Sequence, residues 1–155
     1  MESALKLLKT YAEERGKDFE ALLLELVAQV LDPPARVEAY LEASEEFWRE
    51  GLQLVERGDV RQGGEKIWNA VVQMVKAYAE SHGLPHDSHR LIWAAVRRLS
   101  REEPRSILLF AAVEQLHVNF YEGHLEREDV EKLVEAAAEF RGLVRDKVKT
   151  PRPET

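Results

Sequence analysis

The residues best suited to chemistry stand at the end of one apolar helix, in the run Leu116-His117-Val118-Asn119-Phe120-Tyr121-Glu122-Gly123. At about 3.6 residues per turn, Leu109, Val113, Leu116 and Phe120 share one stripe, and Phe110, Glu114, His117 and Tyr121 form a second beside it. His117 therefore stands at the border of the core. An imidazole titrates near neutral pH, so His117 with Glu114 or Tyr121 could supply a proton-transfer group. These three are the candidate catalytic residues. The plainer reading is a border histidine hydrogen-bonded to Glu114 or to a backbone carbonyl. Asn119 points away from His117 and is expected not to share a pocket with it in one subunit.

A second constellation begins at Ser88, a good helix cap, followed by His89 and Arg90. Free N–H groups at a helix start favour an anion, and Arg90 could add a charged fork, so Ser88, His89 and Arg90 are the candidate phosphate-binding residues. Packing of the His117 helix against this terminus would make one composite site. Alternatively, Ser88 merely caps. All five histidines, His82, His86, His89, His117 and His124, lie within 43 residues. Their spacing is loose and no His-Glu-x-x-His run is present, so no metal and no cofactor is expected. Arg90, Arg97 and Arg101 share an outer face, with Arg98 and Arg105 nearby, and such a face could contact RNA phosphates. Its ordinary alternative is a solvated surface paired with Glu102 and Glu103. Trp48, Trp68 and Trp93 suit the core at least as well as base stacking, and Trp93 lies off its helix's main stripe.

The elements that must position these groups are all helical. Ser3 can cap a helix over about 4–15 that stops at Gly16, and Asp18 caps a second over about 19–31 with a wide apolar face of Leu22, Leu23, Leu26, Val27 and Val30. That face must pack on the main bundle or on a partner. Asp32-Pro33-Pro34 breaks the chain there. Helices then follow over about 35–57, 60–81, 89–101, 104–122 and 127–148, and the one-residue turn at Gly58 makes the first two of these antiparallel neighbours. Gly63 and Gly64 allow a close helix contact and lack the setting of a phosphate loop. The helix that ends in His117 is apolar almost all round, with Leu108 and Ala112 opposite its core stripe, and is expected at the centre of the bundle or at a subunit interface. The expected organisation is an all-α antiparallel bundle over 32–150, an N-terminal helical hairpin over 1–31, and a frayed tail over 151–155.

Composition narrows the function classes. Hydrophobic residues make up 45% of the 155 residues and charged residues 33%, which fits a compact helical domain. A net charge of −7 opposes broad nonspecific DNA binding but leaves room for a local basic site. The absence of cysteine excludes disulfides and thiolate metal sites. No signal peptide and no apolar run approaching the roughly 20 residues of a membrane helix is visible, so a cytoplasmic protein without a membrane partner is expected.

Three segments, Glu65-Lys66-Ile67-Trp68-Asn69-Ala70, His86-Asp87-Ser88-His89-Arg90 and Leu116-His117-Val118-Asn119-Phe120-Tyr121-Glu122, together resemble the archaeal PaREP family. The resemblance covers about residues 31–148. It implies a fold similar to HEPN domains, helical bundles found as ribonucleases and as toxin or antitoxin-associated modules, and hence a homodimer with its cleft between subunits. The HEPN ribonuclease pattern sets an arginine four to six residues before a histidine, usually with a tyrosine after. His117 and Tyr121 match its second half, whereas Phe110, Ala111 and Ala112 occupy the offsets where the arginine would stand. The departure favours binding without cleavage. The resemblance thus implies an RNA-binding or RNA-cleaving module, with a non-catalytic dimeric interaction module of toxin–antitoxin type as the alternative. A nucleotide or small-anion binder at the His89 terminus is the third reading.

Overall fold

The computed structural model describes residues 2–149, which form seven helices and no strand. They are α1 (Glu2–Glu14), α2 (Phe19–Ala28), α3 (Pro33–Glu56), α4 (Val60–Ser81), α5 (His89–Leu99), α6 (Ser106–Glu122) and α7 (Arg127–Lys147). Side-chain caps start most of them. Asp18, Asp32, Asp59 and Ser88 accept backbone N–H bonds at the starts of α2, α3, α4 and α5, and Glu126 with Asp129 forms a capping box on α7.

Several boundaries differ from the pattern-based ones. Ser3 lies inside α1 rather than capping it. The second helix stops at Ala28, because residues 29–31 tighten into bonds to the carbonyls three back, Gln29 to Leu26, Val30 to Val27 and Leu31 to Ala28. Arg36 then donates from Nε to the carbonyls of Ala28, at 3.0 Å, and Leu31, at 2.9 Å. Pro104 sits in a turn before α6, and α5 ends at Leu99. The expected frayed tail over 151–155 lies outside the described residues.

The most enclosed helix is α4, not α6. Ile67, Trp68, Ala70, Val71, Met74, Val75, Ala77, Tyr78 and Ala79 of α4 are all buried, and the main core gathers around them from α5, α6 and α7. α6 contributes Leu109, Phe110, Val113 and Leu116 to that core but turns Leu108, 78% exposed, to solvent. The difference arises because an apolar residue count cannot tell a helix packed on several sides from one packed on its larger stripe.

Two adjacent glycines set the spacing around α4. A Cβ at Gly63 would lie 2.8 Å from the backbone nitrogen of Val55 and 2.9 Å from the carbonyl oxygen of Gly51, so α3 and α4 meet backbone to backbone. A Cβ at Gly64 would lie 3.3 Å from Leu116, on the α6 side. Gly58, at φ +93°, turns the chain between α3 and α4. On the buried side of α3, where it meets α4 and α7, Ser44 donates to the Ala70 carbonyl at 2.7 Å, and the Arg141 Nε of α7 donates to Ser44 at 3.2 Å. The Arg141 guanidinium also lies 4.5 Å from the Trp48 ring centroid and 2.7 Å from Glu45.

The hairpin of α1 and α2 packs on the bundle through Leu22 and Ala28, with its remaining attachments largely polar. Lys66 pairs with Asp18 at 2.9 Å, Lys76 with Glu25 at 3.3 Å, and the Tyr121 hydroxyl donates to the Gly16 carbonyl at 3.0 Å. Leu23, Leu26, Val27 and Val30 stay on the outside. Only part of the apolar face expected to be covered is therefore covered by this chain.

Gly63→Ala should destabilise the fold by about 1–3 kcal/mol, since the added methyl meets backbone that must move. Gly142→Ala, where a Cβ meets nothing within 4 Å, should instead stabilise α7 by about 0.5–1 kcal/mol. Urea denaturation of the two variants beside the wild type measures both signs.

Candidate functional site

α4 carries a polar seam through the core. Glu65, Asn69, Gln73 and Lys76 recur at helical spacing, so they fall on one face, and that face looks toward the turn of the N-terminal hairpin. Between them lies a recess of about 240 Å³. The hairpin supplies one wall with Gly16, Asp18 and Leu22, the start of α5 supplies Ser88 and His89, and α6 supplies His117.

His117 is held from α4. Its Nδ1 lies 2.9 Å and 3.0 Å from the two carboxylate oxygens of Glu65, so Nδ1–H donates to Glu65. The Trp68 ring stacks on the imidazole at 5.7 Å and 22°. The hydrogen bond that His117 donates to Glu65 raises its pKa, burial opposes the rise, and the charges of Glu65 and Glu114 add to it. Nε2 has no hydrogen-bond partner among the described residues and is the ring atom left to exchange a proton. This is the arrangement of a general base whose tautomer is fixed by a carboxylate.

The expected partners of His117 are therefore corrected. Glu114 serves a different histidine: its Oε2 lies 3.1 Å from His89 Nε2 and accepts from Trp93 Nε1 at 3.0 Å. The lateral position of Glu114 on α6 turns it toward α5, which is why one-helix spacing chose the wrong carboxylate. Tyr121 sets its ring edge on His117 at 5.4 Å, but its hydroxyl is spent on the Gly16 carbonyl at 3.0 Å. Burial and the charge of Glu65 raise the Tyr121 pKa, which keeps that hydroxyl protonated and donating. Tyr121 thus latches the hairpin and is not aimed into the recess.

Ser88 and His89 do reach the recess with His117, whereas Arg90 is exposed and outside it. Ser88 accepts from the Leu91 N–H at 3.2 Å, the role of a cap. The expected convergence of His89, Arg90 and His117 is met by the two histidines only. His86 also lines the recess, and its Nε2 lies 2.7 Å from Glu80. His82 instead meets the Lys147 carbonyl at 2.8 Å, and His124 is exposed. Among the described residues no group of three or more histidine, aspartate or glutamate side chains is placed to hold a metal ion. Asn119 is fully buried and accepts from the Leu125 N–H at 2.8 Å, away from His117, as helical geometry requires.

Trp68 offers no free stacking face, because Phe110 lies 5.2 Å away and His117 5.7 Å away from its ring. The recess itself is acidic. Asp18, Glu25, Glu65 and Asp87 line it against Lys17 and Lys76, and both lysines pair with Glu25. Such a lining favours a neutral or cationic ligand over a phosphate. Sequence spacing pointed away from Glu65, Asn69, Gln73 and Lys76 because α4 reads as a core helix; the signal was four polar residues sharing one of its faces.

These features define a helical-bundle protein with a polar recess against its central helix, holding one Glu–His pair. The chain belongs to the archaeal PaREP1/PaREP8 family, whose pattern matches residues 39–141. A solved Sulfolobus solfataricus protein shares the fold, with a TM-score of 0.63 at 20% identity over 69% of this chain and 97% of the other. No curated protein matches the sequence. Residues 1–38, which include the hairpin that walls the recess, lie outside the family match.

His117 gives a pH test. Its folded-state pKa is raised, so the Glu65 pair stabilises the fold fully below the ordinary histidine range and loses that contribution as pH rises through the folded value. The stability difference between wild type and His117→Gln should be largest at mildly acidic pH and shrink at alkaline pH. Denaturant titrations at both pH values measure it, and a difference that grows with pH contradicts the pairing.

Proposed function

We propose that this protein is a HEPN-like RNA-binding module that takes a phosphate backbone along the outer face of α5 and has an acid–base histidine, His117, near the start of that helix. The observation that carries the reading is the state of the α5 arginines. Arg90, Arg97, Arg98 and Arg101 are all exposed, and none has a salt-bridge partner among the described residues. Of the glutamates expected to neutralise them, Glu102 pairs with Lys147 and Glu103 makes no salt bridge among the described residues, while Arg105 pairs with Glu139. In a chain of net charge −7, a helix face that keeps four free guanidinium groups is a local exception that suits an anionic polymer. From Arg90 to Arg98 is about 12 Å along α5 at about 1.5 Å per residue, with Arg101 in the turn beyond, long enough to follow more than one phosphate.

The family resemblance supports the same reading, and the Glu65–His117 pair supplies a group able to move a proton. No arginine precedes His117 at the ribonuclease offsets, so binding, with cleavage weak or absent, is the better match. A protein partner of toxin–antitoxin type that presents acidic side chains would compete for the same arginines.

A second reading rests on a separate observation. The outer face of α2 exposes Leu23, Leu26 and Val27, and Val30 in the turn just past its end is 84% exposed, which suits a homodimer contact of a non-catalytic interaction module. Light scattering of wild type and Leu26→Glu/Val30→Glu separates a dimer built on this face from a monomer.

Single-stranded RNA should bind with a salt dependence that weakens in Arg97→Gln/Arg101→Gln, the slope of log affinity against log salt falling by about 0.7 for each phosphate no longer neutralised. Fluorescence anisotropy at several salt concentrations measures it, and unchanged affinity and slope reject the α5 track. In EDTA, any cleavage belonging to this site should disappear in His117→Ala at matched folding.

A further inference from the structure

The polar seam of α4 is satisfied at both ends and open in the middle. Glu65 is taken by His117, Lys76 by Glu25, and Glu80 by Arg36 at 2.8 Å and His86 at 2.7 Å. Between them, the Asn69 Nδ2 and the Gln73 Oε1 are buried with no hydrogen-bond partner, and Gln73 is only 2% exposed. The His86 Nδ1 is a third such atom on the same recess. Half of the buried side-chain atoms without a partner among the described residues thus belong to residues that line one cavity. Buried polar atoms are almost always paired, and each unmade pairing costs about 1–3 kcal/mol. A fold that concentrates such atoms around a recess of about 240 Å³ has left room for something that pairs them.

The chemistry of the walls narrows the occupant. Asn69 and Gln73 are one helical turn apart, and each amide offers one donor-bearing and one acceptor end whichever way it is turned. Their natural complement is a planar group with a donor N–H beside an acceptor C=O. Leu22, Val72 and Ile92 give the recess apolar walls for the flat faces of such a group. The four lining carboxylates against two paired lysines oppose an anion, and of the neutral or cationic groups that remain, an uncharged amide-like one carries both the donor and the acceptor that the two side-chain amides lack.

We propose that the recess between α4 and the N-terminal hairpin is a binding site for a small, uncharged, planar amide-like group, a carboxamide, lactam or unpaired nucleobase, recognised by the side-chain amides of Asn69 and Gln73. The hairpin makes one wall and lies outside the family match, so this site is built in part by a segment specific to chains that carry it. Where the ligand is the base of an RNA strand, the site deepens the RNA reading above; where it is a free molecule, it stands apart from it.

The experiment is heteronuclear NMR of the full chain, following the side-chain amide signals of Asn69 and Gln73 on addition of nicotinamide, of uridine, and of a short oligouridine. Saturable shifts of these two signals with nicotinamide or uridine are expected for a free ligand, and with the oligomer alone for a base delivered by a strand. Asn69→Leu and Gln73→Leu should each weaken binding about tenfold, the factor of one unmade hydrogen bond. Arg97→Gln/Arg101→Gln should leave the response to nicotinamide or free uridine unchanged, so failure of the RNA track and failure of the recess read differently. Wild-type signals that none of the three probes moves overturn the proposal, since the amides then serve only bound water. So does tight binding that survives both leucine substitutions.

Discussion

The structure depends on the enclosure of α4. A helix packed by α3, α5, α6 and α7, with the hairpin across one face, leaves little of its middle to water, so the buried polar atoms it carries there cannot rely on solvent. Glu65, Asn69, Gln73, Lys76 and Glu80 lie on that helix, and the arrangement around them follows from the requirement. Carboxylates at the ends draw in His117, His86 and Arg36, and Lys76 draws in Glu25. The site is what remains after those pairings are made.

The hairpin belongs to the same account. Its attachment through Leu22 and Ala28 buries little apolar surface, while Asp18, Glu25 and the Gly16 carbonyl each meet a group from the bundle. Lys66 illustrates the balance. Burial would lower its pKa, yet the hydrogen bond and charge of Asp18, helped by Glu20 and Glu50, leave it raised. Lys66 therefore holds its proton at neutral pH, and the Asp18 bond that fastens the cover does not change over the physiological range. His117, its pKa raised by Glu65, is the group that brings titration into the recess.

Much of this architecture was legible in the sequence. Caps at Asp18, Asp59 and Ser88, the stops at Gly16, Gly58 and Gly123, and the Asp32-Pro33-Pro34 break act within a few residues of themselves, and local signals of that range survive without tertiary knowledge. The inward stripe of Ile67, Trp68, Val71, Val75 and Tyr78 was equally plain. What the sequence hid was pairing across helices. Glu114 and Glu65 are both glutamates within reach of His117 on paper, one in its own helix and one 52 residues away, and only the packing of α4 against α6 decides between them. Tyr121 looked like a proton donor because its stripe was right, but its hydroxyl answers to a glycine 105 residues earlier. The arginines at α5 are a further case: Glu102 and Glu103 stand close to them in sequence, yet none of Arg90, Arg97, Arg98 and Arg101 has a salt-bridge partner among the described residues.

The two glycines at positions 63 and 64 have a mechanical consequence. Because one faces the backbone of α3 and the other faces Leu116 of α6, the axis separations on both sides of α4 are set by main chain and by a single leucine. Most helix pairs rest on interdigitated side chains, whose volumes drift as sequences diverge, and the axes drift with them. Here the distance from α4 to α3 acts as a fixed gauge, so residues elsewhere in the bundle can change without altering it. The gap between the seam and the hairpin is then tuned by the hairpin alone, which makes the width of the recess a property that a chain can vary by changing its first 31 residues while keeping the bundle beneath them.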